Sequence, residues 1–308
     1  MNFNNLIGNE KIKDVLKKNI LNNNLVHSYM FIGLEGIGKS LFARDFAEMM
    51  LCTANNSLAC GECKSCLEFE TNNNPDFMQI DSDGKIIKID QIRHMQEKII
   101  EKPIISNRKI YIINDADLMT KEAQNCLLKT LEEPPEYITI ILVVTNESKI
   151  LPTIKSRCMK IAFNKIEESV LLNYLKNNFQ INNISQNVLT MCEGSIGRWV
   201  EIKDKLEDYY SVEQIIKNLE KTDKLDILKQ SEILYKNKDD IKNYLQYINV
   251  VLYNEFLESK NVHYIKLIEI VEQTRKNILA NSNFDMSIDN LLMKMWEEIN
   301  EEYSWCKI

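Results

Sequence analysis

Glycine and proline are scarce in this 308-residue chain, eight and five in number, and neither occurs after Gly197. A stretch without either breaker argues against a hairpin-rich β domain. Apolar residues at helical spacing in 245-LQYINVVLYNEFLES-259 and 264-YIKLIEIVEQTRKNIL-279 instead predict a helical bundle over the C-terminal part. Any apolar run long enough to span a membrane is also missing, so no membrane association is expected. The opening MNFNNLIGNEKIKDVL has no apolar segment behind a basic one, which argues against a secretory signal and for a cytoplasmic location. Positive charge is in deficit, with 38 Lys/Arg against 45 Asp/Glu. The deficit is uneven: residues 1–163 hold 20 against 21, and residues 164–308 hold 18 against 24. An acidic C-terminal half repels phosphate backbones, which leaves room only for a DNA contact made within a larger assembly.

A chain of this length predicts two or three domains. Residues 1–163 alternate short β-rich runs with helical patterns, the rhythm of a mostly parallel sheet covered by helices. The predicted strands are 29-YMFI-32, 77-FMQI-80, 110-IYII-113, 138-ITIILVV-144 and 159-MKIAF-163, with helices over 40–51 and 120–133, the second stopped by Pro134 and Pro135. A small helical domain is expected over 164–203, ending near Gly194 and Gly197, and a helical domain over 204–308.

The segment 33-GLEGIGKS-40 fits G-x-x-x-x-G-K-[ST] after one predicted strand and at the opening of a helix. Gly33, Gly36 and Gly38 let the backbone curl so that its N–H groups face phosphate oxygens, and the helix N-terminus adds partial positive charge. Lys39 is then expected on the β- and γ-phosphates and Ser40 on magnesium, with ATP or ADP as ligand. The competing reading is a glycine turn before a buried helix. A hydrolysing site also needs a second strand ending in an Asp that supports magnesium and a Glu that activates water. Here the strand ends Ile113-Asn114-Asp115-Ala116, and either register breaks the pair. Nucleotide binding with slow or absent hydrolysis in cis is the expectation; a variant that turns over with Asp115 is the alternative.

Cysteine is sparse but clustered. Cys52, Cys60, Cys63 and Cys66 form C-x7-C-x2-C-x2-C behind the phosphate-loop helix, a spacing that lets four thiolates converge on one structural zinc ion. Unmetallated surface cysteines and an iron–sulfur cluster are the alternatives. Cys126, Cys158, Cys192 and Cys306 are dispersed and are read as buried or incidental.

The phosphate loop, the cysteine group behind it, 126-CLLKTLEEPP-135 and 156-SRC-158 together resemble the bacterial DNA polymerase III clamp-loader family over about residues 1–200. The resemblance implies an α/β AAA+ P-loop domain with a zinc-binding module (1–163), a small helical lid (164–203) and an all-α collar domain (204–308). It also implies two possible branches, the gamma/tau motor and the delta-prime stator. The segment 74-NPDFMQID-81 and the degraded Asn114-Asp115 pair look like the stator branch, although the intact phosphate loop departs from some of its members. By the same resemblance Arg157 is an arginine finger acting on a neighbour's ATP, Thr145 takes the sensor-1 position and Arg198 the sensor-2 position. His27 and Leu6-Ile7-Gly8 either line the adenine pocket or simply pack. Implied partners are gamma/tau and delta subunits, with transient contact to a sliding clamp and primer-template DNA. The competing functions are a self-sufficient gamma/tau-like motor, a small-molecule P-loop kinase and a zinc-ribbon DNA reader. The last is disfavoured because only Lys64 accompanies Glu62, Glu68 and Glu70 around the cysteines.

Overall fold

A computed structural model describes residues 3, 6–54, 58–82, 85–179, 184–230 and 232–300. Residues group into two compact units: 1–180 with 194–197, and 181–193 with 198–308.

The first unit contains strands β1 (Ser28–Ile32), β2 (Phe77–Ile80), β3 (Lys109–Ile113), β4 (Ile138–Val144) and β5 (Met159–Ala162). They form one all-parallel sheet in the order β2-β3-β4-β1-β5. Its helices are α1 (Glu10–Leu21), α2 (Lys39–Leu51), α3 (Lys64–Glu70), α4 (Ile89–Ile99), α5 (Lys121–Glu132), α6 (Pro152–Lys155) and α7 (Glu168–Phe179). The predicted strands and the two predicted helices of this region are thus present, within a residue or so at their ends.

A strand alternates its side chains between two faces, and here both faces are covered, which is why 138-ITIILVV-144 is apolar without interruption. Tyr29, Phe31, Ile110, Ile112, Ile141 and Val143 pack toward Leu16 of α1 and Phe42 and Phe46 of α2. Their neighbours in sequence, Met30, Tyr111, Ile113, Ile140 and Leu142, pack toward Met95 of α4, Leu127 of α5 and Ile154 of α6. Pro152 opens α6, where its missing N–H costs nothing. Because all five strands run the same way, their carboxyl ends share one edge of the sheet and their amino ends the other. The strand order doubles back at β1, and an open parallel sheet takes its ligands at the carboxyl edge beside such a switch point.

The second unit is helical: α8 (Gln186–Cys192), most of α9 (Ile196–Ile202), α10 (Leu206–Lys217), α11 (Lys224–Gln230), α12 (Glu232–Lys236), α13 (Ile241–Ser259), α14 (His263–Leu279) and α15 (Phe284–Asn300). Tyr209 stacks on Tyr244 at 4.6 Å between ring centres and meets Tyr247 edge-on at 5.1 Å. Beside them the buried Glu213 accepts from Tyr247 Oη at 2.6 Å, Asn187 Nδ2 at 2.9 Å and Lys217 Nζ at 2.9 Å. Burial pushes this carboxyl up, but the hydrogen bonds from Tyr247 and Lys217 outweigh it and hold it below the usual carboxylate range. No helix among the described residues is long and apolar enough to cross a membrane.

Candidate nucleotide and metal sites

The carboxyl edge of the sheet gathers the loop after β1, Asp81 after β2, Asn114 and Asp115 after β3, and Thr145 after β4. Gly36 (φ 72°) and Gly38 (φ 92°) adopt the left-handed backbone that the curl requires, and Gly38 caps the start of α2. A Cβ on Gly33 would lie 2.6 Å from Ile37 Cδ1 and 3.0 Å from the Phe163 carbonyl oxygen. Lys39, 5% exposed, donates to the carbonyls of Gly33 (2.9 Å) and Leu34 (2.6 Å) and to Thr145 Oγ1 (3.2 Å). Burial lowers its pKa, opposed by the charges of Asp115, Asp117 and Glu35. Ser40 Oγ donates to Asn114 Oδ1 at 2.9 Å, and Asn114 Nδ2 donates to Asp81 Oδ1 at 2.7 Å. Asp115 is left-handed (φ 45°, ψ 45°), and burial followed by the charge of Asp117 raises its carboxyl pKa. This donor set fits a magnesium nucleotide. A curled loop, a helix N-terminus and an ammonium suit phosphates, while the Ser40 hydroxyl and the Asn114 amide oxygen are hard oxygen ligands suited to magnesium.

Three contributors carry no local sequence signature. Asp117 Oδ1 accepts from the Thr145 backbone N–H at 3.0 Å and so fixes the loop after β4. Gln124, 3% exposed, donates to the carbonyls of Met119 (3.2 Å) and Lys149 (3.0 Å) and accepts from the Leu151 N–H (2.9 Å), tying the end of the Asp115 turn to the segment that leads into α6. The third is the backbone of 194–197. Gly197 N–H donates to the Gly36 carbonyl at 2.9 Å and Ser195 Oγ to the Glu35 carbonyl at 3.1 Å. A Cβ on Gly197 would come within 2.6 Å of Gly36 Cα and 2.9 Å of its oxygen, and backbone offers no rotamer escape. Gly197→Ala is therefore expected to cost about 1–3 kcal/mol of stability and to weaken nucleotide affinity at least about tenfold, since each 1.4 kcal/mol is a decade; thermal melts and nucleotide titrations check this.

Arg198 belongs to the second unit, where its Nη1 lies 3.5 Å from Glu193 Oε2 and from the Met191 carbonyl. Leu6, Ile7 and Gly8 line a cavity of about 520 Å³ with Phe3, Lys13 and Lys17. His27 instead precedes β1 at the amino edge, where its carbonyl accepts from the Ile140 N–H and the residue is exposed.

Arg157 also lies at that amino edge. It precedes β5, and its carbonyl accepts from Ser28 Oγ, at the start of β1, at 2.6 Å. Five residues of β1 separate that position from the phosphate loop, about 16 Å at about 3.3 Å per residue. The side chain is 35% exposed, paired to Glu132 at 2.8 Å and donating to the Thr153 carbonyl at 2.9 Å.

The ligand atoms of Cys52, Cys60, Cys63 and Cys66 all lie within 4.8 Å of one another. A tetrahedral ion about 2.3 Å from each sulfur asks for sulfurs about 3.8 Å apart, so the four residues fit zinc. Cys63 caps α3, its sulfur accepting from the Cys66 N–H at 3.5 Å, while the Cys60 sulfur accepts from the Cys63 N–H at 3.3 Å. Burial pushes the Cys66 and Cys52 thiols up. The Cys63 thiol is drawn down to about 5, its burial outweighed by hydrogen bonds with Thr53 and the Cys66 backbone. Elsewhere Cys158 and Cys192 are buried and pushed up to about 11 and about 12, and Cys126 donates to Gln96 Oε1 at 3.1 Å. Cys306 lies outside the described residues.

A family model described as "DNA polymerase III, delta subunit" matches residues 8–167. Similar curated proteins include DNA polymerase III subunit tau/gamma of Haemophilus influenzae, 33% identical over 56% of this chain and 25% of that protein. DNA polymerase III subunit gamma/tau of Mycoplasma genitalium is 28% identical over 97% of this chain and 54% of its own length. DNA polymerase III subunit delta' of Bacillus subtilis is 34% identical over 52% of this chain and 49% of its own length. The chain thus spans between a quarter and about half of these relatives. Among solved structures, a gamma subunit-related protein of Thermotoga maritima has a TM-score of 0.50 at 19% identity, covering 93% of this chain and 99% of that one, a likeness of fold.

Proposed function

This chain belongs to the bacterial DNA polymerase III clamp-loader family, and from that membership we propose that it is the delta-prime-type stator subunit, which binds nucleotide, hydrolyses it slowly or not at all, and lends Arg157 to a neighbour's site. The observation that carries the reading is the partner of Ser40. Where a hydrolysing site sets a carboxylate beside the magnesium-binding hydroxyl, this chain sets the Asn114 amide. An amide has the oxygen for the position but not the charge, and Asp115 beside it is one methylene shorter than the Glu a water-activating base calls for.

In this reading Lys39 leaves the Gly33 and Leu34 carbonyls for the β- and γ-phosphates, the N–H groups of 36–40 hold the phosphate oxygens, and Thr145 senses the terminal phosphate. Magnesium, when bound, neutralises phosphate charge from the side of Ser40 and Asn114. Arg157 is consistent with the same conclusion: it lies at the opposite edge of the sheet from its own phosphate loop, partly exposed. The four cysteines hold a structural zinc. The helical unit serves as a collar that joins gamma/tau and delta subunits, and the assembly meets the sliding clamp and primer-template DNA transiently.

A gamma/tau-like motor is the second reading, favoured by the relatives that carry that name and by Asp115, whose charge acts on Lys39. The two separate on the purified chain alone. Stoichiometric binding of ATP that is lost in Lys39→Ala, with turnover at background, supports the stator; sustained turnover by the monomer rejects it in favour of the motor.

A further inference from the structure

The site already described lacks a carboxylate at Asn114, yet one stands directly behind it. We infer that Asp81, acting through Asn114, supplies the negative charge that supports magnesium at this nucleotide site; the inference rests on the nucleotide-binding reading above. β2 and β3 are parallel neighbours with Ile80 opposite Ile113, so the residues that follow them, Asp81 and Asn114, emerge side by side at the carboxyl edge. Asp81 Oδ1 accepts from Asn114 Nδ2 at 2.7 Å. Gln79 Nε2 donates to both oxygens of the same carboxylate, at 3.1 and 3.0 Å, and Gln91 Nε2 donates to the Asp81 carbonyl at 2.9 Å.

An ionised carboxylate only accepts, so the amide of Asn114 has one allowed orientation: its NH2 faces Asp81 and its oxygen faces Ser40. Asn114 is 8% exposed, and a reversed amide there would leave its NH2 beside the Ser40 hydroxyl. Magnesium takes oxygen ligands, so a reversed amide would present a donor where an acceptor is required. The charge-assisted bond that Asn114 donates to Asp81 also polarises the amide and adds electron density at the oxygen that faces Ser40. Asp81 is thus a positioning residue, one shell behind the ligands, and outer-shell partners of this kind are worth about 10–100-fold in metal affinity. Asp81 is exposed, and its carboxylate is oriented by Gln79 while its main chain is held by Gln91.

The test titrates the full chain with ADP carrying a fluorescent ribose label, once with magnesium and once with EDTA, and reads the ratio of the two dissociation constants. In Asp81→Asn this ratio is expected to fall about 10–100-fold while the EDTA affinity stays at the wild-type value; a wild-type ratio in Asp81→Asn overturns the proposal. Asn114→Asp carries its own charge, so adding Asp81→Asn to it should not lower the ratio, since it only removes the repulsion between two adjacent carboxylates. A loss of about 10–100-fold on adding Asp81→Asn to Asn114→Asp overturns the relay through Asn114, and this pair decides the matter if Asp81→Asn alone does not fold. Binding in EDTA with no gain from magnesium in the wild type sinks this proposal alone, whereas no binding in either condition sinks the nucleotide reading with it.

Discussion

On the proposed stator role, Arg157→Ala is expected to slow ATP turnover at a neighbouring subunit's site by about 10³-fold or more in the reconstituted loader with primed DNA, because a guanidinium finger is worth roughly 10³–10⁵ in rate. That corresponds to about 4–7 kcal/mol of transition-state stabilisation. The competing claim on the side chain is weak. Its pair with Glu132 is solvent-accessible, with 35% and 50% of the two side chains exposed, and pairs of that kind contribute about 0–1 kcal/mol. On that role, a neighbour's phosphates would displace Glu132 at little cost. The same substitution should change stability by less than about 1 kcal/mol and leave this chain's own nucleotide affinity unaltered, since Arg157 lies on the far edge of the sheet. Arg157→Lys should recover only part of the rate, because an ammonium keeps the charge but lacks the planar fork. An unchanged loader ATPase in Arg157→Ala would remove the finger role.

The second large effect belongs to the cysteines. The protein is expected to carry one zinc per chain, and Cys66→Ser to lose it, with stability falling by roughly 4 kcal/mol or more and the melting temperature by about 8–16 °C at about 2–4 °C per kcal/mol. The reason is local. Of the described residues here, Ala59 and Cys66 are buried and Cys52, Leu58, Cys60 and Cys63 only border the main core, so a cation held by the four sulfurs would be the tie that fixes them. Its loss then reaches α3, whose Phe69 packs on Phe77 at 4.6 Å. It also reaches the buried chain in which Asn74 Nδ2 donates to Ser65, Ser65 meets Ser106 at 2.9 Å, and Ser106 Oγ donates to the Leu51 carbonyl at the end of α2. Acidification should release the metal before the fold melts, because the ligands are thiolates and protons compete for them. Native mass measurement with elemental analysis checks both statements. Wild-type protein free of zinc, or full zinc retention in Cys66→Ser, would count against the site, and a coloured iron-containing protein would identify a cluster instead.

Legibility differed sharply among residues. Lys39 and Ser40 stood out because eight consecutive positions, a strand before them and a helix after them all agree on one local geometry. The cysteines were equally plain, since the C-x2-C steps are short-range constraints. The strand 138–144 was evident from uninterrupted β-branched and aliphatic residues. Arg157 came only through the likeness of its motif, and an isolated arginine after a short helix says nothing by itself. Asp81 stood in a quoted motif without a role. Gly197 and Gln124 were silent: the first acts through the absence of a side chain, the second through three main-chain partners in other segments.

The amino-acid sequence alone determined the parts: which segments are strands, which loop curls for phosphate, which four sulfurs converge, and that the carboxylate expected at Asn114 is missing. Those properties depend on neighbours a few residues away. Only the tertiary structure decided how the parts meet. The β2-β3-β4-β1-β5 order puts Asp81 against Asn114 across 33 positions of sequence, and the packing of 194–197 lays the Gly197 backbone on Gly36. It also separates Arg157 from the loop by the length of a strand. Strand order follows from how the helices cover both faces of the sheet, a global packing solution that no local period or spacing encodes.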